Sequence, residues 1–369
     1  MAPSRRAVLG SIATAGGGCL SPPGPAVSAS CPAQVSGTDA ARIGFTGDVM
    51  LGRDVNDRWA DGPSDGVWGS LHGTLTALDG LFINLECCLS DRGSPRPGRT
   101  YHFRADPDWA IPALNTAEVT WASLANNHVL DFGSAAFEDT LAALSDGGIP
   151  HAGAGMDRST AFEPSMVEVG GLSVAVVAFT DRSPLYAAGT NRPGTAFVRI
   201  DPGDPTTQWL VRSALERARA ADPDLIVASL HWGPNWETQP STERRAFARW
   251  LIDQGVDVIH GHSAHVIQGV EVYRGRPIIY DAGEFVDDYA IKAGLHNDRS
   301  FLFELEVREG RLSALRLRPI EITNERVVEA GRETAAWLRT TMRERSAAFD
   351  TTVRRKGEGL RMPLSSTCH

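Results

Sequence analysis

Ile259-His260-Gly261-His262-Ser263-Ala264-His265 places three imidazoles within six residues, a density that packing alone does not require. The preceding Gly255-Val256-Asp257-Val258-Ile259 reads as a buried strand, which puts the histidines in the turn at its C-terminal end. In an open α/β sheet that edge is where ligands collect, and histidine is the commonest metal-ligating side chain. A metal centre there needs partners from other strands.

Four further segments share the pattern of an apolar, β-rich run ending in small or polar residues. Ile43-Gly44-Phe45-Thr46 leads into Gly47-Asp48-Val49-Met50-Leu51-Gly52-Arg53, and Leu81-Phe82-Ile83 into Asn84-Leu85-Glu86. Val119 to Leu124 leads into Ala125-Asn126-Asn127-His128, and Leu225 to Leu230 into His231-Trp232-Gly233. Five of the ten histidines fall in three of these tips, so each strand is expected to deliver an Asp, Glu, Asn or His to one sheet edge. Between the tips, helical spacing predicts helices over Ser134–Leu144, Thr206–Ala220 and a stretch starting at Pro240-Ser241-Thr242. Leu172 to Phe179 reads as a central buried strand, and Arg308-Glu309-Gly310-Arg311 as the turn of a hairpin. The alternation predicts an α/β domain over residues 38–325, preceded by a leader and linker at 1–37 and followed by a helical extension at 326–369.

Ser4-Arg5-Arg6-Ala7-Val8-Leu9-Gly10 is a twin-arginine pattern, followed by a weakly apolar stretch and a Val27-Ser28-Ala29 cleavage-type site. The expected destination is the periplasm, the cell surface or the medium, with lipid anchoring at Cys19 ranked second. A formal net charge of −9 argues against nucleic acid as a partner. Five cysteines make no disulfide framework in a chain of 369 residues, and adjacent Cys87-Cys88 read as small buried hydrophobes.

Taken together and in order, the five tips resemble the CapA-like family of poly-γ-glutamate capsule biosynthesis proteins, over roughly Ile43 to Tyr289. Gly275-Arg276-Pro277-Ile278-Ile279-Tyr280-Asp281-Ala282-Gly283-Glu284-Phe285 resembles that family's closing motif. The family is similar in fold to calcineurin-like metallophosphoesterases. The resemblance therefore implies a four-layer α/β/β/α sandwich, here with a C-terminal hairpin and helix. It also implies one or two divalent ions held by Asp48, Glu86, Asn127, His231, His262 and His265, with Glu86 in the place of a bridging aspartate. His128 resembles the histidine that contacts substrate or handles a proton, and Asp48 and His128 are the catalytic candidates. The chain departs from the phosphoesterase pattern at Asp48-Val49-Met50, where Asp-x-His is usual, and at Asn84-Leu85-Glu86, where Gly-Asp is usual.

A mixed nitrogen and oxygen ligand set favours Mn, Fe or Zn, and such an ion would activate water for attack on a phosphoester or an amide. His260 reads as a buried, hydrogen-bonded imidazole, and Asp131 as a residue that orients the turn after His128. The substrate-binding candidates are Arg53, Arg99, Arg104, Trp232 and Glu284. Arg92, Arg96, Arg99 and Arg104 crowd one Pro/Gly-rich loop that suits an anionic substrate, and Trp232 and Trp236 are placed as a lip. The leading function is metal-dependent hydrolysis or transfer on γ-linked polyglutamate or another envelope anion, with membrane-bound capsule machinery as a partner. A metallophosphoesterase for a small phosphoester and a non-catalytic scaffold of a polymer-export complex are the alternatives. Oligomeric state is left open. On this reading Arg99→Glu weakens polyanion binding and spares the fold, which binding and thermal-unfolding measurements would check.

Overall fold

Runs rich in β-branched and aromatic residues form the central strands of a computed structural model that describes residues 40–364. In chain order the strands that build the sheets are β1 (Ala41–Val49), β2 (Gly80–Leu85), β3 (Val119–Ser123), β4 (Leu172–Thr180), β5 (Leu225–His231), β6 (Val258–His262), β7 (Arg276–Ile279), β8 (Glu284–Val286), β9 (Arg299–Arg308) and β10 (Arg311–Ile322). The longer helices are α1 (Pro107–Thr116), α2 (Gly133–Asp146), α3 (Pro205–Ala220), α4 (Thr242–Asp253) and α5 (Arg332–Ala347). The leader, Cys19, Cys31 and Cys368 lie outside the described residues.

Two sheets result. The larger runs β10-β9-β1-β2-β3, parallel across β1, β2 and β3, with β8 also parallel to β1. The smaller runs β7-β6-β5-β4, all parallel, with antiparallel strands Val270–Tyr273 and Ser165–Val169 at its edges. Their inner faces meet in one core, where Phe45, Phe82 and Trp121 share a cluster with Val174, Val176, Val227 and Val258. Phe45 and Phe82 pack edge to face at 5.4 Å between ring centroids. The outer face of the large sheet packs on α1 and α2 through Ile83, Leu114, Phe137 and Leu144. The outer face of the small sheet packs on α3 and α4 through Val177, Val211, Leu215, Phe247 and Leu251. The order helix, sheet, sheet, helix is the four-layer sandwich expected from the resemblance.

Local chemistry explains the element boundaries. Asp204 caps α3, its carboxylate accepting from the Thr207 amide at 3.0 Å, with Pro205 in the first turn. Ser241 caps α4 by accepting from the Arg244 amide at 3.3 Å. The β9–β10 turn places Glu309 and Gly310 both at positive φ, the backbone twist a two-residue hairpin favours.

Three expectations need correction. β6 begins at Val258 and runs through His262, so His260 and His262 lie in the strand and only Ser263 to His265 form the turn. The reason is pairing, since Val227 to His231 of β5 holds Val258 to His262 in register. The closing motif is split between sheets, with β7 in the small one and β8 in the large one. Among the described residues after Arg326 the chain is helical only over α5, and Arg354–Lys356 and Gly359–Pro363 form a hairpin that extends the large sheet beside β10.

Because Phe45 fills the space between the sheets, Phe45→Ala is expected to destabilise the protein by about 3–5 kcal/mol. Denaturant unfolding that showed less than about 1 kcal/mol would contradict that packing.

Candidate metal centre

The parallel registers converge on Asp48. β1 pairs Asp48 with Asn84 of β2 on one side and with Glu284 of β8 on the other. Two glycines permit this closeness. A Cβ on Gly47 would come within 2.0 Å of the Gly283 carbonyl, and one on Gly261 within 2.2 Å of the Tyr280 carbonyl. From the facing sheet, the paired ends of β5 and β6 present His231 and His262. His265 arrives from the turn, where it and Ser263 adopt positive φ, conformations that cost free energy for side chains other than glycine. Asp281 fixes that turn by accepting from the amides of Ala264 at 2.7 Å and Gly283 at 2.9 Å.

Asp48 Oδ1 lies 3.6 Å from His262 Nδ1 and 3.8 Å from His231 Nδ1, and Oδ2 lies 3.4 Å from His265 Nδ1. Asn84 Nδ2 donates to Asp48 Oδ1 at 2.6 Å. Two sets of ligand atoms share Asp48: one with His231 and His262, the other with Glu86, His265 and Glu284. Within each set the atoms lie within 4.8 Å of one another. Every one of these residues is buried. Asn127 joins them, its Oδ1 being 2.8 Å from His231 Nε2. Of the sequence-derived set, then, all six metal candidates meet at one place.

The donor chemistry fits a cation. Both carboxylate oxygens of Glu86 and both of Glu284 are buried without a hydrogen-bond donor, although Glu284 Oε1 lies against His265. Buried carboxylates in that condition either stay protonated or meet a positive charge. Without a cation, burial and the neighbouring Asp48 charge push Glu86 well above the usual carboxylate range. Burial likewise raises Glu284 to about 7, against the opposing pull of His265. Burial opposes a charge on His265, yet Glu284 and Glu86 outweigh it and hold the imidazole well above its ordinary value. Burial lowers His231 and His262, keeping them in the neutral form that binds metal. Cys87 and Cys88 belong to neither set; both are free and buried, and burial pushes the Cys87 thiol up to about 12.

His128 stands beside this centre. Its Nδ1 is 2.6 Å from Asp131 Oδ2, its ring stacks on Phe103 at 3.9 Å, and its Nε2 is 3.8 Å from Glu86 Oε1. Burial and the Arg99 charge lower its pKa well below 6.5. Asp131 therefore orients the imidazole directly, besides receiving the Phe103 amide at 2.8 Å and Arg99 Nε at 3.1 Å. Asn126, which the sequence reading passed over, locks the tip by donating to the Leu85 carbonyl at 2.8 Å and accepting from the His128 amide at 3.0 Å.

Above the centre opens a cleft of about 610 Å³ reached by His128 and His265. Arg53 and Arg99 line it as expected. Three other substrate candidates do not. Arg104 turns away, its guanidinium over the Phe132 ring at 4.2 Å. Trp232 is core, stacked on Tyr280 and donating to its carbonyl at 2.8 Å, and Trp236 is the tryptophan that lines the cleft. Glu284 sits among the buried carboxylates because β8 pairs with β1, and Asp48 rather than Glu86 is the shared carboxylate. Arg99 is also held in place, since Asp131, the Asn127 carbonyl and His128 all contact it. Arg99→Glu would set two carboxylates together and disturb the His128 pair as well as any anion. The cleft residues missed in the sequence, Arg182, Asn235, Tyr289 and Lys292, come from loops with no metal-ligand pattern.

Two stacked sheets with a buried Asp, Glu and His cluster at their common edge define a metallophosphoesterase-like protein. Within that class the chain belongs to the bacterial capsule synthesis protein PGA_cap family, which it matches over residues 42–289. It is 34% identical to a probable polyglutamine synthesis accessory protein of Mycobacterium tuberculosis, covering 82% of this chain and 83% of that one. It is 28% identical to the PGA biosynthesis protein CapA of Bacillus subtilis, covering 77% of this chain and 72% of that one. The capsule biosynthesis protein CapA of Bacillus anthracis is also 28% identical, with 75% of this chain and 66% of that one covered.

Asp48→Asn is expected to reduce metal content to background, because both ligand sets use that carboxylate, whereas His262→Ala should lose about half; elemental analysis of the purified variants decides. Stripping metal should also lower the thermal midpoint, and by more at about pH 8 than at about pH 5. Glu86, Glu284 and His265 all have raised pKa values in the metal-free fold. On these three groups the metal-free fold holds protons that the unfolded chain releases, so their contribution to its stability falls as pH rises from the unfolded values near 4.5 and 6.5. The lowered His231 and His262 are neutral with or without metal and cancel from the comparison. Equal midpoint losses at both pH values would exclude this origin.

Proposed function

We propose that this protein is a divalent-metal-dependent enzyme of poly-γ-glutamate capsule or cell-envelope polymer metabolism, acting by hydrolysis or transfer at an amide or phosphoester bond. Membership of the PGA_cap family supports a place in poly-γ-glutamate capsule metabolism. The observation that carries the catalytic part is the pair of ligand sets sharing Asp48 beneath a cleft lined by cationic side chains.

Asp48, Glu86, Asn127, His231, His262, His265 and Glu284 would hold one or two ions, with Mn, Fe or Zn favoured by the nitrogen and oxygen donors. A divalent ion so held supplies Lewis acidity and lowers the pKa of a coordinated water. His128 keeps its Nδ1 toward Asp131 and presents Nε2 to the centre, so that nitrogen can take up a proton from the attacking group or return one to the leaving group. Arg53, paired with Asp288, stands on the cleft wall with Phe103 and Tyr289, where an anionic chain would pass. Export by the twin-arginine leader fits a capsule-associated role. Among the described residues no helix is long and apolar enough to cross a membrane.

The test is incubation of the Mn-loaded protein with γ-linked polyglutamate and, separately, with a generic phosphodiester. Shortening or transfer of the polymer is expected, with His128→Ala and Asp48→Asn each lowering the rate by at least about 100-fold. Strong phosphodiester turnover with an unchanged polymer would replace this reading by that of a phosphoesterase. Bound metal with no turnover of either, and a cellular phenotype that survives Asp48→Asn, would replace it by a scaffold.

A further inference from the structure

The charges lining the cleft are not equally compensated. Arg53 is paired with Asp288, at 2.6 and 2.9 Å, and Arg99 with Asp131 at 3.1 Å. Arg182 and Lys292 line the same cleft, and neither takes part in an ion pair among the described residues. The sole carboxylate among the lining residues, Asp181, is turned to the Gly233 amide at 3.0 and 3.2 Å.

Both uncompensated cations are tied to the metal centre through short structural links. Thr180 pairs with His231 across β4 and β5, so Arg182 stands two residues beyond a metal candidate's partner. Its amide donates to Thr180 Oγ1 at 3.0 Å, and its guanidinium donates to Asn235 Oδ1 at 3.0 Å. The next residue, Trp236, donates its amide to the Ala264 carbonyl at 2.8 Å and sets its ring 5.2 Å from that of His265. Lys292 Nζ lies over the same indole, 4.6 Å from the ring centroid. Lys292 is also one of only two lysines in a chain whose other cations are arginines.

We propose that Arg182, Asn235, Trp236 and Lys292 form an anion subsite beside the metal centre that binds the carboxylates of a ligand carrying several of them. The subsite rests on the metal-centre reading of the cleft and sets substrate choice there. Arg182 offers a planar fork that can grip one carboxylate bidentately, and Lys292 a point charge for a second. A small monoester has a single anionic group, which the centre itself would occupy, and would leave both cations unused. A chain with a carboxylate on each repeat satisfies both at once.

The experiment is calorimetric binding to the full Mn-loaded chain of three probes: a γ-linked glutamate hexapeptide, tricarballylate and the monocarboxylate butyrate. Arg182→Gln and Lys292→Gln should each weaken the hexapeptide and tricarballylate roughly tenfold, and together roughly a hundredfold. Butyrate binding and Mn affinity should stay within about twofold, and Lys292→Arg should restore most of the loss. A double variant that binds both multicarboxylates like the wild type overturns the subsite, as does a wild type that binds neither. Tricarballylate bound through these residues while the hexapeptide is ignored keeps the subsite and removes the polymer reading. Hexapeptide binding that the double variant leaves intact keeps the polymer reading and removes the subsite.

Discussion

Asp48, Glu86 and Glu284 are three carboxylates buried within contact range of one another, and only Asp48 is supplied with hydrogen-bond donors. Removing such groups from water costs several kcal/mol each unless opposite charge offsets it. The fold accepts this arrangement at the meeting point of two sheets, where packing is otherwise apolar and tight. A cation resolves the repulsion; otherwise the carboxylates must hold protons, which is the condition the raised pKa values of Glu86 and Glu284 describe. The histidines facing them are kept neutral by burial, except His265, which lies against Glu284 and Asp48.

The surrounding structure serves that cluster. Gly47 and Gly261 let two crossing segments approach the strands without a Cβ in the way. Asn84, Asn126 and Asp281 spend their polar atoms on neighbouring backbone and side chains, fixing the tips that carry the ligands. Asp131 does the same for His128, so the imidazole offers a defined nitrogen rather than a rotating ring. Positive charge is arranged outside this acidic centre, on the cleft wall, away from the buried carboxylates that could hold a metal.

Much of the site was legible in advance because its residues sit at strand tips. Asp48, Asn127, His231 and His262 each follow or end an apolar run, and parallel strands align their C-terminal ends. Glu284 was legible as an acid near the site, with its role left open, since nothing local reveals that the chain changes sheets between Ile279 and Glu284. Trp232 and Arg104 were misplaced for a related reason: proximity in sequence to a ligand does not fix which face a side chain takes. The pairing of β5 with β6 turns Trp232 into the core beside Tyr280.

What the sequence determined by itself was most of the central strands, the helices α2, α3 and α4, and the ligand types at one sheet edge, because periodicity and local hydrogen bonding encode these. Tertiary structure alone decided that Asp48 is shared between two ligand sets and that Glu284 completes the second. It also decided that Arg182 and Lys292 stand outside any ion pair among the described residues while Arg53 and Arg99 do not. Those outcomes depend on distances between residues more than two hundred positions apart, which are set by how two sheets stack and where the chain crosses from one to the other.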